Sequence, residues 1–149
     1  MRNLTRLDLV EPILEFVRSG RPFLGICLGL QLLFDESEEF GPHEGFKLIP
    51  GKVRAFDRNM GLKIPHMGWN TVSFRQKAPI FRGIEDGSFF YFVHSYYVAP
   101  EDPSDVAAES EYGITFTCAI ARENVFAVQF HPEKSQDNGL KILSNFTAL

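Results

Sequence analysis

Apolar residues recur every three or four positions in two stretches of the chain, and this spacing predicts two amphipathic helices. The first covers residues 9–19. The second covers residues 135–149, where Leu140, Leu143 and Phe146 are spaced three apart. Each helix should therefore present an apolar stripe that packs against another layer of structure.

Between these helices, short apolar runs bounded by Gly, Pro and Asn/Asp predict strands. The run at 22–26, PFLGI, is continuously apolar, which favours a strand buried on both faces. Five further runs predict strands, at 44–56, 69–74, 88–98, 106–120 and 125–130. Good helix formers over 28–34 predict a third helix, and the acidic run at 35–39 is interpreted as its solvated end. The order of elements indicates one α/β domain over residues 1–149.

The composition is typical of a folded globular domain, and the charge excludes several classes of function. Of the 149 residues, 44% are hydrophobic and 23% are charged, with a net charge of −4. The basic residues are scattered, so neither nucleic acid nor an anionic membrane is an expected partner. No apolar stretch approaches the roughly 20 residues of a membrane helix, and no signal peptide is recognisable, so we expect a cytoplasmic protein.

The two cysteines, Cys27 and Cys118, belong to no CxxC or zinc-finger pattern, so we expect no disulfide framework, metal site or cofactor. Cys27 lies between Gly25 and Gly29, and glycines there would relieve the crowding of a sharp strand-to-helix turn, as in a nucleophile elbow. A helix N-terminus would also favour the thiolate. From this motif alone, a nucleophile and a packed core cysteine remain equally good interpretations. Cys118 lies in an alternating strand without a turn signal and is interpreted as buried.

A nucleophilic cysteine needs a base and a group that orients the base. His131 and Glu133 lie two apart at the end of a predicted strand, so both side chains should project the same way. His94 is the competing base, although it could instead pair with a carboxylate in the core. On chemistry alone His131 is preferred. His43 and His66 have no such arrangement, and His43 is interpreted as structural.

Two blocks of sequence together resemble the class I glutamine amidotransferases with a Cys-His-Glu triad. They are GICLGLQ around Cys27 and QFHPEKS around His131 and Glu133. Within that class, PHMGWN at 65–70 and YFVHSYY at 91–97 are similar to the glutaminase subunits of imidazole glycerol phosphate synthases, enzymes of histidine biosynthesis. The resemblance covers essentially the whole chain. It implies a flavodoxin-like three-layer sandwich with a mostly parallel central sheet.

The resemblance also implies a role for each matching residue. Cys27 would be the nucleophile, His131 the general base and acid, and Glu133 the group that orients the imidazole. The residues that would contact the glutamine substrate are Leu28, Gln31, Ser95 and Tyr96. Leu28 would do so through its backbone N–H, which would donate to the oxyanion. The reaction would release glutamate and ammonia without a cofactor.

The ammonia would pass to a (β/α)8-barrel cyclase subunit, with which the chain would form a heterodimer. That subunit would use it to make imidazole glycerol phosphate and an aminoimidazole carboxamide ribotide. The residues implied at the interface are Met67, Trp69, Asn70, Tyr91 and Lys134. Aromatic and Met residues are enriched at interface centres, but from the pattern alone core packing of Trp69 is the favoured interpretation.

Members of this subunit family normally carry a further segment before the first helix, including a strand and a glycine-rich loop that furnishes a second oxyanion donor. We therefore expect the domain to be incomplete at its N-terminus. The alternative function is then a catalytically inactive fragment or a partner-binding module. A cysteine peptidase would share the nucleophile and base chemistry, but not the combination of motifs.

Overall fold

The computed structural model describes residues 1–149. The fold is organised around a mixed β-sheet. The α-helices are α1 (Arg2–Arg6), α2 (Val10–Arg18), α3 (Leu28–Gln31) and α4 (Gln136–Thr147). The strands are β1 (Phe23–Ile26), β2 (Phe34–Ser37), β3 (His43–Glu44), β4 (Ile49–Ala55), β5 (His66–Thr71), β6 (Ser73–Phe74), β7 (Phe89–His94), β8 (Tyr96–Pro100), β9 (Val106–Glu111), β10 (Thr115–Arg122) and β11 (Val125–Val128). None of the helices has the length and apolar character needed to cross a membrane.

The main sheet has the strand order β1-β11-β10-β8-β4-β2-β3, with β9 pairing to β10 and to β6. Strands β5 and β7 form a separate two-stranded ribbon. Pairing is parallel between β1 and β11 and between β2 and β4, and antiparallel elsewhere. The predicted α/β class is confirmed. The sheet is mixed rather than mostly parallel, because several consecutive strands are joined by short connections and therefore pair antiparallel.

Consecutive residues of β11 face opposite sides of the sheet, so both sides need a cover. Val125 and Ala127 belong to one buried cluster, to which α2 and α3 contribute apolar side chains. Phe126 and Val128 belong to the other, to which α4 contributes Ile142. The predicted three-layer arrangement is therefore confirmed.

Helix α2 matches the predicted helix closely, but the expected helix at 28–34 is wrong beyond its first turn. Helix α3 ends at Gln31, and the chain enters strand β2 at Phe34. Phe34 is fully buried and pairs in parallel with Ile49, while the Asp35 carboxylate accepts a hydrogen bond from the backbone N–H of Gly51. Tertiary pairing thus overrides helix propensity, and the acidic run begins in a strand and ends in the turn after it, so it is not a helix end.

The C-terminal helix α4 forms as expected, but the first residue of its predicted apolar stripe faces solvent. Leu140 is 62% exposed, whereas Gly139 and Ile142 are buried. A Cβ at residue 139 would lie within 3 Å of the Pro132 carbonyl, so only glycine allows this close approach. The buried side of α4 thus begins at Gly139 and Ile142, and Phe146 packs against the same core cluster as predicted.

Three of the predicted strands are each two strands in the structure, because a turn or bend interrupts them. The run at 69–74 divides between β5 and β6, the run at 88–98 between β7 and β8, and the run at 106–120 between β9 and β10. The first half of the run at 44–56 is mostly loop, and only β4 is a long strand there. The break at Ser95 matters most, since it moves the chain from the ribbon to the main sheet.

The turn between β1 and α3 is tight, and one of its two glycines is required by the packing. A Cβ at Gly25 would lie 2.8 Å from the carbonyl oxygen of Gly29 and 3.1 Å from Ala127 Cβ. A Cβ at Gly29 would meet nothing within 4 Å. The expectation that both glycines relieve crowding is therefore wrong for Gly29.

We expect Gly25→Ala to lower the free energy of unfolding by about 1–3 kcal/mol, because the added methyl group has no room. Gly29→Ala is the matched control and should change it by less than about 0.5 kcal/mol. Urea denaturation followed by circular dichroism measures both. Equal destabilisation by the two variants would contradict the assignment of the close contact to residue 25.

Candidate active site

Two of the predicted site residues, Cys27 and His131, follow neighbouring parallel strands at the same edge of the sheet. Strands β1 and β11 run in register, with Ile26 opposite Val128. The backbone N–H of Cys27 adds one more hydrogen bond, to the carbonyl of Val128 at 2.8 Å. Because parallel strands end at a common edge, residues just after β1 and just after β11 come together there.

The backbone at Cys27 has the conformation of a strained turn. Its φ is 51° and its ψ is −104°, values that residues with a side chain rarely adopt. The sulfur lies 4.0 Å from the carbonyl oxygen of Val93, and the side-chain Nε2 of Gln129 donates to it at 3.7 Å. The Cys27 thiol is thus held at the junction of β1, β7 and β11.

Burial raises the pKa of the Cys27 thiol above its usual value, and the carboxylates of Glu133 and Glu39 act in the same direction. Hydrogen bonds from the backbone N–H of Leu28 and from Gln129 oppose this effect. The N–H at the start of helix α3 therefore lowers the thiol pKa as predicted, but burial outweighs this effect. Helix α3 has only four residues, so few peptide dipoles are aligned behind the sulfur.

His131 and Glu133 are paired as the spacing predicted. His131 Nδ1 lies 2.6 Å from Glu133 Oε1, and since a carboxylate only accepts, Nδ1 carries the hydrogen. The other ring nitrogen, Nε2, is buried and has no hydrogen-bond partner. A neutral imidazole in this tautomer presents an unshared electron pair at Nε2.

The predicted substrate residues line two adjoining clefts. One, of about 510 Å³, is lined in part by Ser95 and Tyr96. The other, of about 440 Å³, is lined in part by Leu28 and Gln31. Both clefts share Glu39 and the exposed ring of Phe40, and Leu28 on the wall of the second directly follows Cys27 in the chain.

Sequence reasoning missed two polar residues of this site. Gln129 is fully buried and bonds both Cys27 and Gln31. Glu39 lines both clefts, and its charge acts on the Cys27 thiol. Gln129 directly precedes the FHPE segment and could have been found as a polar residue inside an apolar strand, whereas nothing in the acidic run singled out Glu39.

Four of the five predicted interface residues share one surface. In the ribbon, Met67 pairs with Val93 and Trp69 with Tyr91, so these side chains project from the same face. We call the set Met67, Trp69, Phe89, Tyr91 and Val93 the outer ribbon face. Met67 is 59% exposed and Trp69 46% exposed, so Trp69 does not cap the core. The ammonium of Lys134 lies 5.8 Å from the centre of the Tyr91 ring.

Asn70 is the exception, because alternation along β5 turns its side chain inward. Its Nδ2 donates to the carbonyl of Glu111 at 2.8 Å and lies 3.2 Å from His66 Nε2. Asn70 therefore does not present its side chain on the outer ribbon face, and its role at the interface stays a prediction. Its side chain holds the ribbon against β9.

The profile of one protein family, described as "Glutamine amidotransferase class-I", matches residues 5–148. The chain belongs to the class I glutamine amidotransferase family. Among solved structures with the same fold, a glutamine amidotransferase from Thermotoga maritima superposes with a TM-score of 0.63 at 20% identity, covering 93% of this chain and 52% of that one. The glutaminase domain of a Trypanosoma brucei CTPS gives a TM-score of 0.59 at 20% identity, with 89% and 62% covered.

Curated relatives of this amidotransferase share much more of its sequence. "Imidazole glycerol phosphate synthase subunit HisH" of Syntrophotalea carbinolica is 60% identical over 98% of this chain and 73% of its own length. The protein of the same name in Geobacter sulfurreducens is 53% identical, over 98% of this chain and 72% of its own length. The predicted resemblance is thereby confirmed.

The amidotransferase fold also buries a pair of histidines behind the cleft. His66 Nδ1 lies 2.9 Å from His94 Nε2, and His94 Nδ1 lies 2.8 Å from the carbonyl oxygen of Tyr96. His94 therefore pairs with a second imidazole, not with a carboxylate, and it has no free nitrogen to act as the base. Burial lowers the pKa of His66 to about 4 and that of His94 to about 3.

These two histidines should make the protein sensitive to acid. Their folded-state pKa values lie below the ordinary 6.5, so the unfolded chain binds more protons as the pH falls below 6.5. Stability is then fully present above that pH and is lost on acidification, each group adding a slope of up to about 1.4 kcal/mol per pH unit.

The variant His66→Phe tests this sensitivity, because residue 66 lies between the rings of Phe92 and Tyr112 and an apolar ring fits there. It should give a shallower loss of unfolding free energy in urea titrations between about pH 7 and about pH 4. His43→Gln, at an exposed position, is the control and should keep the wild-type slope. A wild-type slope in His66→Phe would refute the assignment.

Proposed function

We propose that this chain hydrolyses glutamine to glutamate and ammonia through a thioester on Cys27, as the glutaminase subunit of an imidazole glycerol phosphate synthase. The observation that carries the proposal is the free, buried Nε2 of His131, oriented by Glu133 at the sheet edge that holds Cys27. The 60% identity to a HisH subunit supports the choice of substrate and pathway.

The first half of the reaction transfers the acyl group to sulfur. His131 Nε2 accepts the thiol proton of Cys27, and the thiolate attacks the side-chain amide carbon of glutamine. The raised pKa of the thiol makes this base necessary, since little thiolate forms without it. The backbone N–H of Leu28 donates to the developing oxyanion. The carbon–nitrogen bond then breaks, and ammonia leaves with the proton from His131.

The second half returns the enzyme to its starting state. Water attacks the thioester carbon while His131 Nε2 accepts its proton, and the carbon–sulfur bond breaks. The proton passes to the sulfur, and glutamate leaves. Glu133 keeps the hydrogen on Nδ1 throughout and stabilises the imidazolium that forms in each half.

The two adjoining clefts offer groups for both ends of a glutamine molecule. Both N–H groups of the Gln31 amide are engaged, by the Tyr96 carbonyl and by Gln129, so Gln31 offers its Oε1 to a ligand. Glu39, which lines both clefts, has the charge to pair with the substrate ammonium group. Ser95 and Tyr96 line the first of the two clefts.

Ammonia would leave through the outer ribbon face to a cyclase subunit with a (β/α)8-barrel fold, bound there as a heterodimer. Only the backbone of strand β7 lies between this face and the reacting groups. The Val93 carbonyl contacts the Cys27 sulfur, and the Tyr91 carbonyl accepts from the backbone N–H of His131 at 2.9 Å. Exposed Met67 and Trp69 with Lys134 provide an aromatic centre and a charged rim, which are common features of protein interfaces.

The nucleophile is tested by Cys27→Ser, which should lower glutamate release by at least about 10³-fold, because the hydroxyl is a far weaker nucleophile at this position. Release is measured with the cyclase subunit and its ribotide ligand present. Cys118→Ala is the control, since burial raises the pKa of that thiol well above its usual value and keeps it unreactive. Unchanged turnover in Cys27→Ser would eliminate the mechanism. Absence of release from the folded wild-type chain would favour the partner-binding module.

The partner surface is tested by two neighbouring variants on opposite faces of β5. Trp69→Ala should weaken cyclase binding by about 2 kcal/mol while changing the unfolding free energy little, because the ring is half exposed. Asn70→Ala should instead destabilise the chain by about 1–3 kcal/mol, because it leaves the Glu111 carbonyl and His66 Nε2 without their donor. Isothermal titration calorimetry and urea denaturation measure the two effects. Equal losses of binding and stability in Trp69→Ala would place Trp69 in the core.

A further inference from the structure

A continuous chain of hydrogen bonds connects the inner face of strand β5 to the sulfur of Cys27. Its members, in order, are Asn70, His66, His94, the carbonyl of Tyr96, Gln31, Gln129 and Cys27. The reaction steps described above use neither of the two histidines. Their place in this chain gives them a further role.

The carbonyl oxygen of Tyr96 sets the direction of the histidine half of the chain, because a carbonyl can only accept. His94 Nδ1 must therefore carry a hydrogen, and Nε2 of the neutral ring accepts. His66 Nδ1 then donates to His94 at 2.9 Å, and His66 Nε2 accepts from Asn70 at 3.2 Å. Both imidazoles are thus neutral Nδ1–H tautomers, each fixed by its neighbour.

The Tyr96 carbonyl also sets the direction of the hydrogen bonds made by the Gln31 and Gln129 amides. Gln31 Nε2 donates to Tyr96 and to Gln129 Oε1, both at 3.3 Å. Gln129 therefore turns its own Nε2 towards the Cys27 sulfur. If the Gln129 amide were reversed, a carbonyl oxygen would face the sulfur and destabilise the thiolate.

Water has little access to most of this chain, because four of its side chains are buried. His66, His94, Gln31 and Gln129 are all buried, and Gln129 has no exposed surface. In such surroundings a change at one hydrogen bond is passed to the next instead of being compensated by solvent.

We propose that His94 is a positioning residue that fixes the amide donor at the Cys27 sulfur. Its N–H holds the Tyr96 carbonyl in place, the carbonyl fixes the amides of Gln31 and Gln129, and Gln129 then donates to the sulfur. His66 supports this role by accepting from Asn70 and donating to His94, which selects the His94 tautomer. The inference rests on the proposed function in one respect, namely that Cys27 is the group that reacts.

The test is the pH dependence of Cys27 alkylation by iodoacetamide, followed by peptide mass, in the wild type, His94→Phe and His94→Asn. His94→Phe removes the donor to Tyr96 and should raise the apparent pKa of Cys27 by about one unit. Alkylation below that pKa should then be about tenfold slower than in the wild type. His94→Asn keeps a donor at the Nδ1 position and should retain the wild-type profile. Both variants leave His66 without its acceptor, so their difference isolates the bond to Tyr96.

A wild-type profile in His94→Phe, or the same upward shift in both variants, would overturn the proposal. Should His94→Phe not fold, long-range proton–nitrogen spectra of the wild-type imidazoles decide. Nδ1–H signals from both His66 and His94 are expected, and an Nε2–H signal from His94 would overturn the proposal. Neither measurement uses glutamine, so a failed glutaminase assay and a failed positioning role are distinguishable.

Discussion

The parallel pairing of β1 with β11 is the constraint on which the rest of the site depends. It ends in the hydrogen bond from the Cys27 N–H to the Val128 carbonyl, so the nucleophile and the segment carrying Gln129 and His131 begin at the same level of the sheet. A shift of this register by one residue would turn every side chain of β11 to the opposite face. The close contact at Gly25 locks the turn that follows β1.

The ribbon of β5 and β7 closes the site from the other side and connects it to the surface. The carbonyls of Tyr91 and Val93 contact His131 and the Cys27 sulfur, and the N–H of Tyr91 donates to Ser135 Oγ. The inner side of the ribbon carries the buried histidine pair, and its outer face carries exposed aromatic side chains. The ribbon of β5 and β7 therefore supports the reacting groups on one side and offers a surface for a partner on the other.

Local motifs made the fold class, the family and the His131–Glu133 pair predictable, because each depends on neighbours in the sequence. What depends on distant contacts was not predictable. Strand β2 forms because Phe34 pairs with Ile49, against its helix-forming sequence. The Cys27 thiol has a raised pKa because of burial that only the folded chain creates. The roles of Gln129 and of the inward-facing Asn70 likewise follow from side chains far away in sequence.

In the proposed reaction, one thiol of the two, that of Cys27, attacks the side-chain carbonyl group of glutamine. The most direct measurement is covalent trapping by a glutamine analogue with an electrophilic carbon at that position, located by peptide mass mapping in the presence of the cyclase subunit. We expect one adduct per chain, at Cys27, which excess glutamine prevents and which is absent when His131 is replaced by Ala. An adduct at Cys118, or labelling of Cys27 that glutamine does not prevent, would contradict it.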